Sequence, residues 1–511
     1  MSKYRDFYLH HDNILYFHPH YSNKITQELI DFINYNKITK IKFINNKQEA
    51  ENIPNLNMSN TIDCTVLNCM YNCTSSFDYN YQLCNFNIKS IFNLEVDLKL
   101  CETVEGIKFG YSFNKPIDNK LPENLKILIL DNNFNQPIDN LPNSLVILEL
   151  GNSFNQPIDN LPNLLVILKL GNSFNKRIDN LPNTIQILEL GKMFFFDINT
   201  LPISLEKLTL SDYFNSELKN KLPPNLKYIK FGKYFTNKKI SPLPNMLEEI
   251  IMGENFNNLI NDLPESVKKI QFGEKFNRKI LRLPNKISKL IFNDRFNRII
   301  IKYPDELKIL IFGKSYNQFV DNLNLILEEL EFGCNFNLPV NNLPQNLKFL
   351  KFGDSFDKQI DNLPSKIERI IFGEDFNKSV DNLPISLILI EFGNKFNQSI
   401  DNLPSSIKTI KFGNDFDKQI DNLPSSIKII KFGEKFNKSI DCLPQSVEEI
   451  DLSRAKKYDK LINSIPQALK CIKIYSDYIP YIKTIFGEHY YNINHGEIIY
   501  GNKIIKLRDK I

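Results

Sequence analysis

No tryptophan occurs in the 511 residues, and alanine is confined to Ala50, Ala455 and Ala468. That skew, with its heavy use of Asn, Ile and Lys, is what a strongly AT-rich gene encodes and says nothing about function. Long hydrophobic runs are missing too. Nowhere do eighteen apolar residues stand together, and Met1-Ser-Lys-Tyr-Arg-Asp leads into no apolar segment, so neither a membrane span nor a secretory leader is expected. An excess of one charge is also absent: 63 basic residues face 59 acidic ones, for a formal net charge of +4. No Lys/Arg block is long enough to track a phosphate backbone, which argues against nucleic acid as a partner. Eight cysteines are sparse for a secreted scaffold, and Cys334, Cys442 and Cys471 stand alone. An intracellular, cytoplasmic protein without a membrane partner is the expectation. What remains, 42% hydrophobic and 24% charged, is a globular composition able to build a core.

The core is written as a repeat. Prolines recur at 122, 142, 162, 182 and 202, and so on to 444, with Asn324 filling the one empty slot of seventeen. The period is twenty residues, with a single extra residue in a few places, such as between Phe113 and Phe134 or between Phe214 and Phe235. One clean copy runs from Leu145 through Leu148, Leu150, Gly151, Phe154, Asn155, Ile158 and Asp159-Asn160 to Leu161-Pro162. Sustained self-similarity at this spacing predicts a solenoid, because one coil alone buries too little to fold and stacked coils share a continuous core.

Each slot has a physical task. Leu148 and Leu150, two apart, point to one face of an extended segment, and Ile147 and Glu149 point to the other, which predicts one short strand per coil. Glycine follows the strand in fourteen of seventeen copies, Asp131, Ser211 and Asn293 being the exceptions. It is expected to supply a turn, with φ > 0 open to it. Proline fixes φ and pushes the preceding leucine toward an extended conformation, so Leu161-Pro162 forms a stiff corner. The Phe slot holds Phe in all copies but one, where Tyr316 stands in, and is assigned to the core. The following slot is Asn in thirteen copies and Asp at 357 and 417. An amide there can bond the backbone of its own and the neighbouring coil, as in a ladder.

Weaker copies extend the array. Ile38-x-x-Ile41-x-Phe43 and Ile91-x-x-Leu94-x-Val96 keep the strand pattern upstream, as do Val447-x-x-Ile450-x-Leu452 and Leu469-x-x-Ile472-x-Ile474 downstream. Within residues 23–36, Ile25, Leu29, Ile30, Phe32 and Ile33 fall at helical spacing and predict a capping helix. Four segments follow: an N-terminal cap at 1–37, degenerate Cys-containing repeats at 38–103, the regular solenoid at 104–446, and degenerate repeats with a C-terminal cap at 447–511.

The repeat units, for instance Phe134-Asn135-Gln136-Pro137-Ile138-Asp139-Asn140-Leu141-Pro142, resemble those of the FNIP-repeat proteins of social amoebae and of giant viruses that infect amoebae. The resemblance implies a variant leucine-rich-repeat fold: about seventeen 20-residue coils, a parallel β-sheet on one face, mostly strand and turn, and a small helical cap at the N-terminus. It implies a protein-interaction scaffold without catalysis, in the host cytoplasm if the chain is viral. Members of the family can carry an F-box that recruits cullin ubiquitin ligases. Residues 1–50 lack the Leu-Pro-x-Glu opening of that module.

Candidate chemistry is thin. All six histidines (His10, His11, His18, His20, His489 and His495) lie outside the regular repeats, so the array has no general base of the commonest kind. Cys64, Cys69, Cys73, Cys84 and Cys101 contain no C-x-x-C spacing. Asp-Asn before Leu-Pro is turn chemistry when it recurs every twenty residues. No cofactor, metal or catalytic residue is assigned. The expected function is a scaffold binding an unidentified protein along the outward strand positions Ile127, Ile129, Ile147, Glu149, Ile167, Lys169, Ile187 and Glu189. There an aliphatic stripe runs beside a charge ladder, a pattern that also suits self-association. The alternatives are a ubiquitin-ligase substrate receptor and a metal-binding or enzymatic N-terminal region.

Overall fold

A computed structural model describes residues 105–109 and 113–474, except 199, 217–221, 237–241, 261 and 465, together with the backbone of six outlying strands. The chain divides into two compact units, Met1–Phe256 and Asn257–Ile511. Among the described residues there is no helix. The capping helix expected within 23–36 and the degenerate coil around Ile91–Val96 lie outside them.

In the first unit, Phe7–His10 pairs antiparallel with Ile14–Phe17, which pairs in parallel with Lys40–Phe43. The last of these strands holds the degenerate Ile41-x-Phe43 motif. Asn68–Met70 then pairs antiparallel with Gly106–Lys108, the first of eight strands that run in parallel to Glu249–Ile251. The second unit holds eleven parallel strands from Lys269–Gln271 to Cys471–Ile474. These are continued in parallel by Glu497–Tyr500 and flanked by the antiparallel Lys503–Lys506. This is a leucine-rich-repeat-like solenoid ladder, one strand per coil. Equivalent residues pair throughout: Leu128, Leu148, Leu168 and Leu188 stand in register and are fully buried. The single-residue insertions leave the ladder intact, since Lys207 pairs with Tyr228, twenty-one residues on.

Two tight turns, and in some coils a third, carry the chain round. The Leu145 N–H donates to Pro142 O at 3.1 Å and Phe154 N–H to Gly151 O at 3.1 Å, and at Leu443 a third turn closes on Ile440 O at 3.2 Å. Inside these corners the Phe slot forms a column. Phe134, Phe154, Phe174 and Phe194 are fully buried and stack at centroid distances of 6.1 to 6.4 Å with nearly parallel rings. The second unit has two such columns, because the last inward strand position changes from leucine to phenylalanine. Phe352 and Phe356 of one coil lie 3.8 Å apart, and each continues into the next coil, to Phe372 at 5.5 Å and Phe376 at 6.1 Å. Offset stacking of this kind adds to the area each ring buries.

The glycine slot opens the expected turn, closed by the Phe154 N–H on Gly151 O, but not through a positive φ. Its backbone is not left-handed at Gly171 or Gly191; instead a Cβ on Gly171 would stand 1.8 Å from Gly151 O, and one on Gly191 would stand 1.7 Å from Gly171 O. Glycine is there so that consecutive coils can approach backbone to backbone.

Candidate functional site

The strand face is built by the alternation of short strands. In Ile127–Leu130 and Ile147–Leu150 the even-numbered leucines are buried, and Ile127, Ile129, Ile147 and Glu149 lie on the other face, half-buried. The same pattern holds at Ile167–Lys169 and Ile187–Glu189. Parallel register brings Ile127, Ile147, Ile167 and Ile187 into one row, and Ile129, Glu149, Lys169 and Glu189 into the next. The eight residues singled out in the sequence therefore form one contiguous surface. The isoleucines are less exposed than an open stripe would be, because each is flanked by its neighbours up and down the ladder.

The charged row is engaged. Lys169 Nζ lies 2.6 Å from Glu149 Oε1, and Lys207 Nζ lies 3.9 Å from Glu189 Oε1. Burial alone would lower the Lys169 pKa, but the hydrogen bond to Glu149 and the fields of Glu149 and Glu189 raise it, so the ammonium stays charged. The aliphatic row ends at Lys207, whose Nζ sits 4.9 Å from the centre of the Tyr228 ring. Burial and the carboxylates Glu249 and Glu189 push that phenol up to about 12.

Two residues that belong to this surface escaped the sequence reading. Val146 and Val166 immediately precede Ile147 and Ile167 and are half-buried beside them, at a slot held by Lys126, Gln186, Glu206 and Lys227 in the adjoining coils. The Val166 and Ile167 N–H groups both donate to Val146 O, at 2.8 and 3.0 Å, which locks this edge of the strand. The signal was available: the slot is polar in the neighbouring coils and apolar in these two.

In the second unit the strand face is mainly a charge ladder. Lys351 Nζ lies 3.3 Å from Glu331 Oε2, Lys431 Nζ lies 3.2 Å from Glu449 Oε1, and Lys473 Nζ lies 2.8 Å from the same oxygen. Apolar residues interrupt the ladder, among them Ile291 paired with Ile311, Ile371 and Leu389. Arg369 stacks over the Phe349 ring at 4.9 Å.

The Asn slot forms the anticipated ladder. The backbone N–H donates to the side-chain oxygen one coil earlier, Asn155 N to Asn135 Oδ1 and Asn175 N to Asn155 Oδ1, both at 2.9 Å, with a break after Phe195, which offers no oxygen. Asp works equally well because only an oxygen is needed, so Asn377 N donates to Asp357 Oδ1 at 2.9 Å. A third polar network joins the coils. Ser or Thr two residues after proline donates to a carbonyl of the preceding coil, as Ser204 Oγ does to Ile185 O at 2.7 Å and Thr184 Oγ1 does to Leu165 O at 2.8 Å.

A shallow groove of about 600 Å³ lies along the Leu-Pro corners of the first unit, lined by Asn119, Asp139, Asn140, Asn160 and their neighbours. Asn119 there adopts φ of 55°. Its carboxylates and amides are those of the repeating turn. Among the described residues, no group of three or more His, Cys, Asp or Glu side chains gathers to hold a metal, and no helix is long and apolar enough to cross a membrane. The side chains of the six histidines and of the five cysteines from 64 to 101 lie outside the described part.

The FNIP Repeat family model matches residues 113–153, 154–193, 196–234, 214–255, 237–275 and 256–295, and again 335–375, 359–395, 376–415, 396–435 and 416–455. Among solved structures the chain is similar to CroV588, a circular leucine-rich-repeat protein of the giant virus CroV. Identity is 32%, over 81% of this chain and 71% of that one, with a TM-score of 0.67. It is also similar to YopM from Yersinia enterocolitica, at 18% identity over 74% of this chain and 83% of that one, with a TM-score of 0.49. No curated protein matches the chain.

Proposed function

We propose that this chain, which belongs to the FNIP repeat family, is a non-catalytic scaffold that holds a protein partner against the strand face of its first unit. The observation that carries this reading is the in-register row Ile127, Ile147, Ile167 and Ile187, widened by Val146 and Val166 and bordered by Glu149, Lys169 and Glu189. Folding needs the inward leucines. It does not need isoleucine on the outside, since Lys207, Tyr228 and Glu249 fill the same slot in the next three coils. A half-buried aliphatic row with ion pairs along one border can shed its remaining water against a partner while the charges set orientation.

The test is affinity capture with the full chain and with the double variant Ile147→Lys, Ile167→Lys. Loss of a stoichiometric partner, or of a dimer by light scattering, with the fold intact supports the strand face. Retention of every partner by the variant refutes it. Recovery of cullin adaptors would point to the ligase-receptor alternative, and stoichiometric zinc would point to a metal-binding N-terminal region.

A further inference from the structure

Half a coil away from the strands, the second unit carries a surface that breaks its own rule. Two residues before Leu-Pro the repeat writes Asp-Asn, and the amide of one coil reaches the carboxylate of the previous one: Asn402 Nδ2 lies 3.0 Å from Asp381 Oδ1 and Asn422 Nδ2 lies 3.2 Å from Asp401 Oδ1. In two consecutive coils the pair becomes Leu281-Arg282 and Ile301-Lys302. Each change replaces a carboxylate by an aliphatic side chain and an amide by a cation. The outward slot two residues earlier holds Lys279 and Ile299 in these coils, and Phe319 in the next, where the pair returns to Asp321-Asn322. Leu281, Ile299, Ile301 and Phe319 are between 58% and 63% exposed, far more open than the isoleucines of the strand face.

Arginine is concentrated in this stretch of the chain. The chain has nine arginines among its 63 basic residues, and four of them fall at 278, 282, 295 and 298. Arg278 Nε donates to Asn257 O at 2.8 Å and Arg298 Nε to Asn277 O at 3.4 Å, so two guanidinium groups are seated one coil apart in matching attitudes. Arg282 Nη2 meets Glu265 Oε1 at 2.5 Å, and Lys302 Nζ lies 3.6 Å from Asp305 Oδ1, both pairs in open solvent. Exposed pairs of this kind are weak and readily exchanged for another carboxylate.

We infer that this edge, centred on Leu281, Arg282, Ile301 and Lys302, is a docking surface for an acidic polypeptide segment that carries aliphatic or aromatic side chains. Seated guanidinium forks match carboxylates in a bidentate geometry, and Arg beside large apolar groups is the composition of interface centres. Glu265 and Asp305 stand on the same surface. They break up the positive field that a broad anionic bilayer would need, whereas a single peptide carboxylate can meet Arg278 or Arg298, which are seated on backbone carbonyls, while staying clear of them. The inference is independent of the strand face in the first unit.

The test pans a phage-displayed random peptide library against the full chain. It then measures the best synthetic peptide against the wild type and against Leu281→Asp, Arg282→Asn, Ile301→Asp, Lys302→Asn. That variant restores the pair used by the other coils, so its circular dichroism and melting temperature should match the wild type. Support is enrichment of peptides mixing Asp or Glu with Leu, Ile or Phe, at least tenfold weaker binding to the variant, binding that falls with salt, and no effect of Ile147→Lys, Ile167→Lys. Equal binding to wild type and variant, or a selection without acidic residues, overturns the inference. So does variant-sensitive capture on phosphatidylcholine vesicles containing phosphatidylserine when no peptide is retained.

Discussion

Replacing Asn155 by Ala should destabilise the array, and replacing it by Asp should not. Asn155 Oδ1 accepts the Asn175 N–H at 2.9 Å in a half-buried position. Alanine removes that acceptor and leaves a backbone donor unpaired between two coils, at a cost of about 1–2 kcal/mol, the low end being set by partial access of water. Aspartate keeps the oxygen. It also lands opposite Lys176, twenty-one residues on, which is the relation Asp357 has to Lys378, 2.8 Å apart, and Asp417 to Lys438, 3.1 Å apart. Asn155→Asp should therefore be within about 0.5 kcal/mol of the wild type at neutral pH. Its carboxyl should follow Asp357, whose pKa burial would raise but the hydrogen bonds from Lys378 and from the Asn377 N–H bring below the ordinary 3.8. A folded value below the unfolded one gives stability that is present above the unfolded pKa and lost as pH falls through the folded one. Amide exchange at Asn175 is the assay. The Ala variant should exchange about five- to thirty-fold faster, the factor that corresponds to this free energy, and the Asp variant should match the wild type at pH 7. Equal protection in the Ala and Asp variants would refute the ladder as a stabilising element.

Gly171→Ala should destabilise by about 1–3 kcal/mol in thermal or urea unfolding, because the new Cβ meets Gly151 O and the coils must separate; a neutral result would mean the contact relaxes freely. Melting temperature should be flat over about pH 6 to 9 and fall on acidification below about 4.5. Glu328, Glu448 and Glu449 are held below their ordinary value by hydrogen bonds from Lys348, Lys470 and Lys473, and this stabilisation is lost as they are protonated. Hydrogen bonds to Glu328, Asp375 and Asp415 raise Lys348, Lys395 and Lys435, so their contribution persists until pH rises through those higher values. A melting temperature that rises toward pH 3.5 would contradict the carboxylate assignment. Ile147→Lys with Ile167→Lys should shift folding stability by about 1 kcal/mol or less, since both side chains stand outside the core; unfolding of the variant would place them inside it.

Much of the coil was legible because its inward residues obey two strict periods, two along the strand and twenty along the chain. Leu148, Leu150, Phe154 and Ile158 could be placed in the core from spacing alone, and all four are buried. The strand register, and with it the contiguity of Ile127, Ile147, Ile167 and Ile187, follows from the same frame. What spacing hides is the chemistry between coils. Glycine after the strand looks like a turn residue alone until the backbone of the previous coil is seen 1.8 Å from where a side chain would start. Ser204 looks like loop filler until its hydroxyl is found on Ile185 O. The partner of Asp357 is Lys378, in a slot where Gln398 instead serves Asn377 at 2.9 Å. That pairing of acid with amine and amide with amide is visible in the letters only after the coils are laid side by side.

The Asn column has a direction: a coil with Asn or Asp in this slot presents an oxygen to its successor and a backbone N–H to its predecessor, and Phe195, which has no side-chain oxygen, interrupts it. Where the column is unbroken, each interface offers the same partners as the next, and excising or duplicating one such coil leaves the flanking ones an oxygen and an N–H to pair. At the level of the gene, unequal recombination between neighbouring twenty-codon units yields a longer or shorter array that still folds. Substitutions in the outward slots are then free to diverge copy by copy, so length and surface can be selected separately.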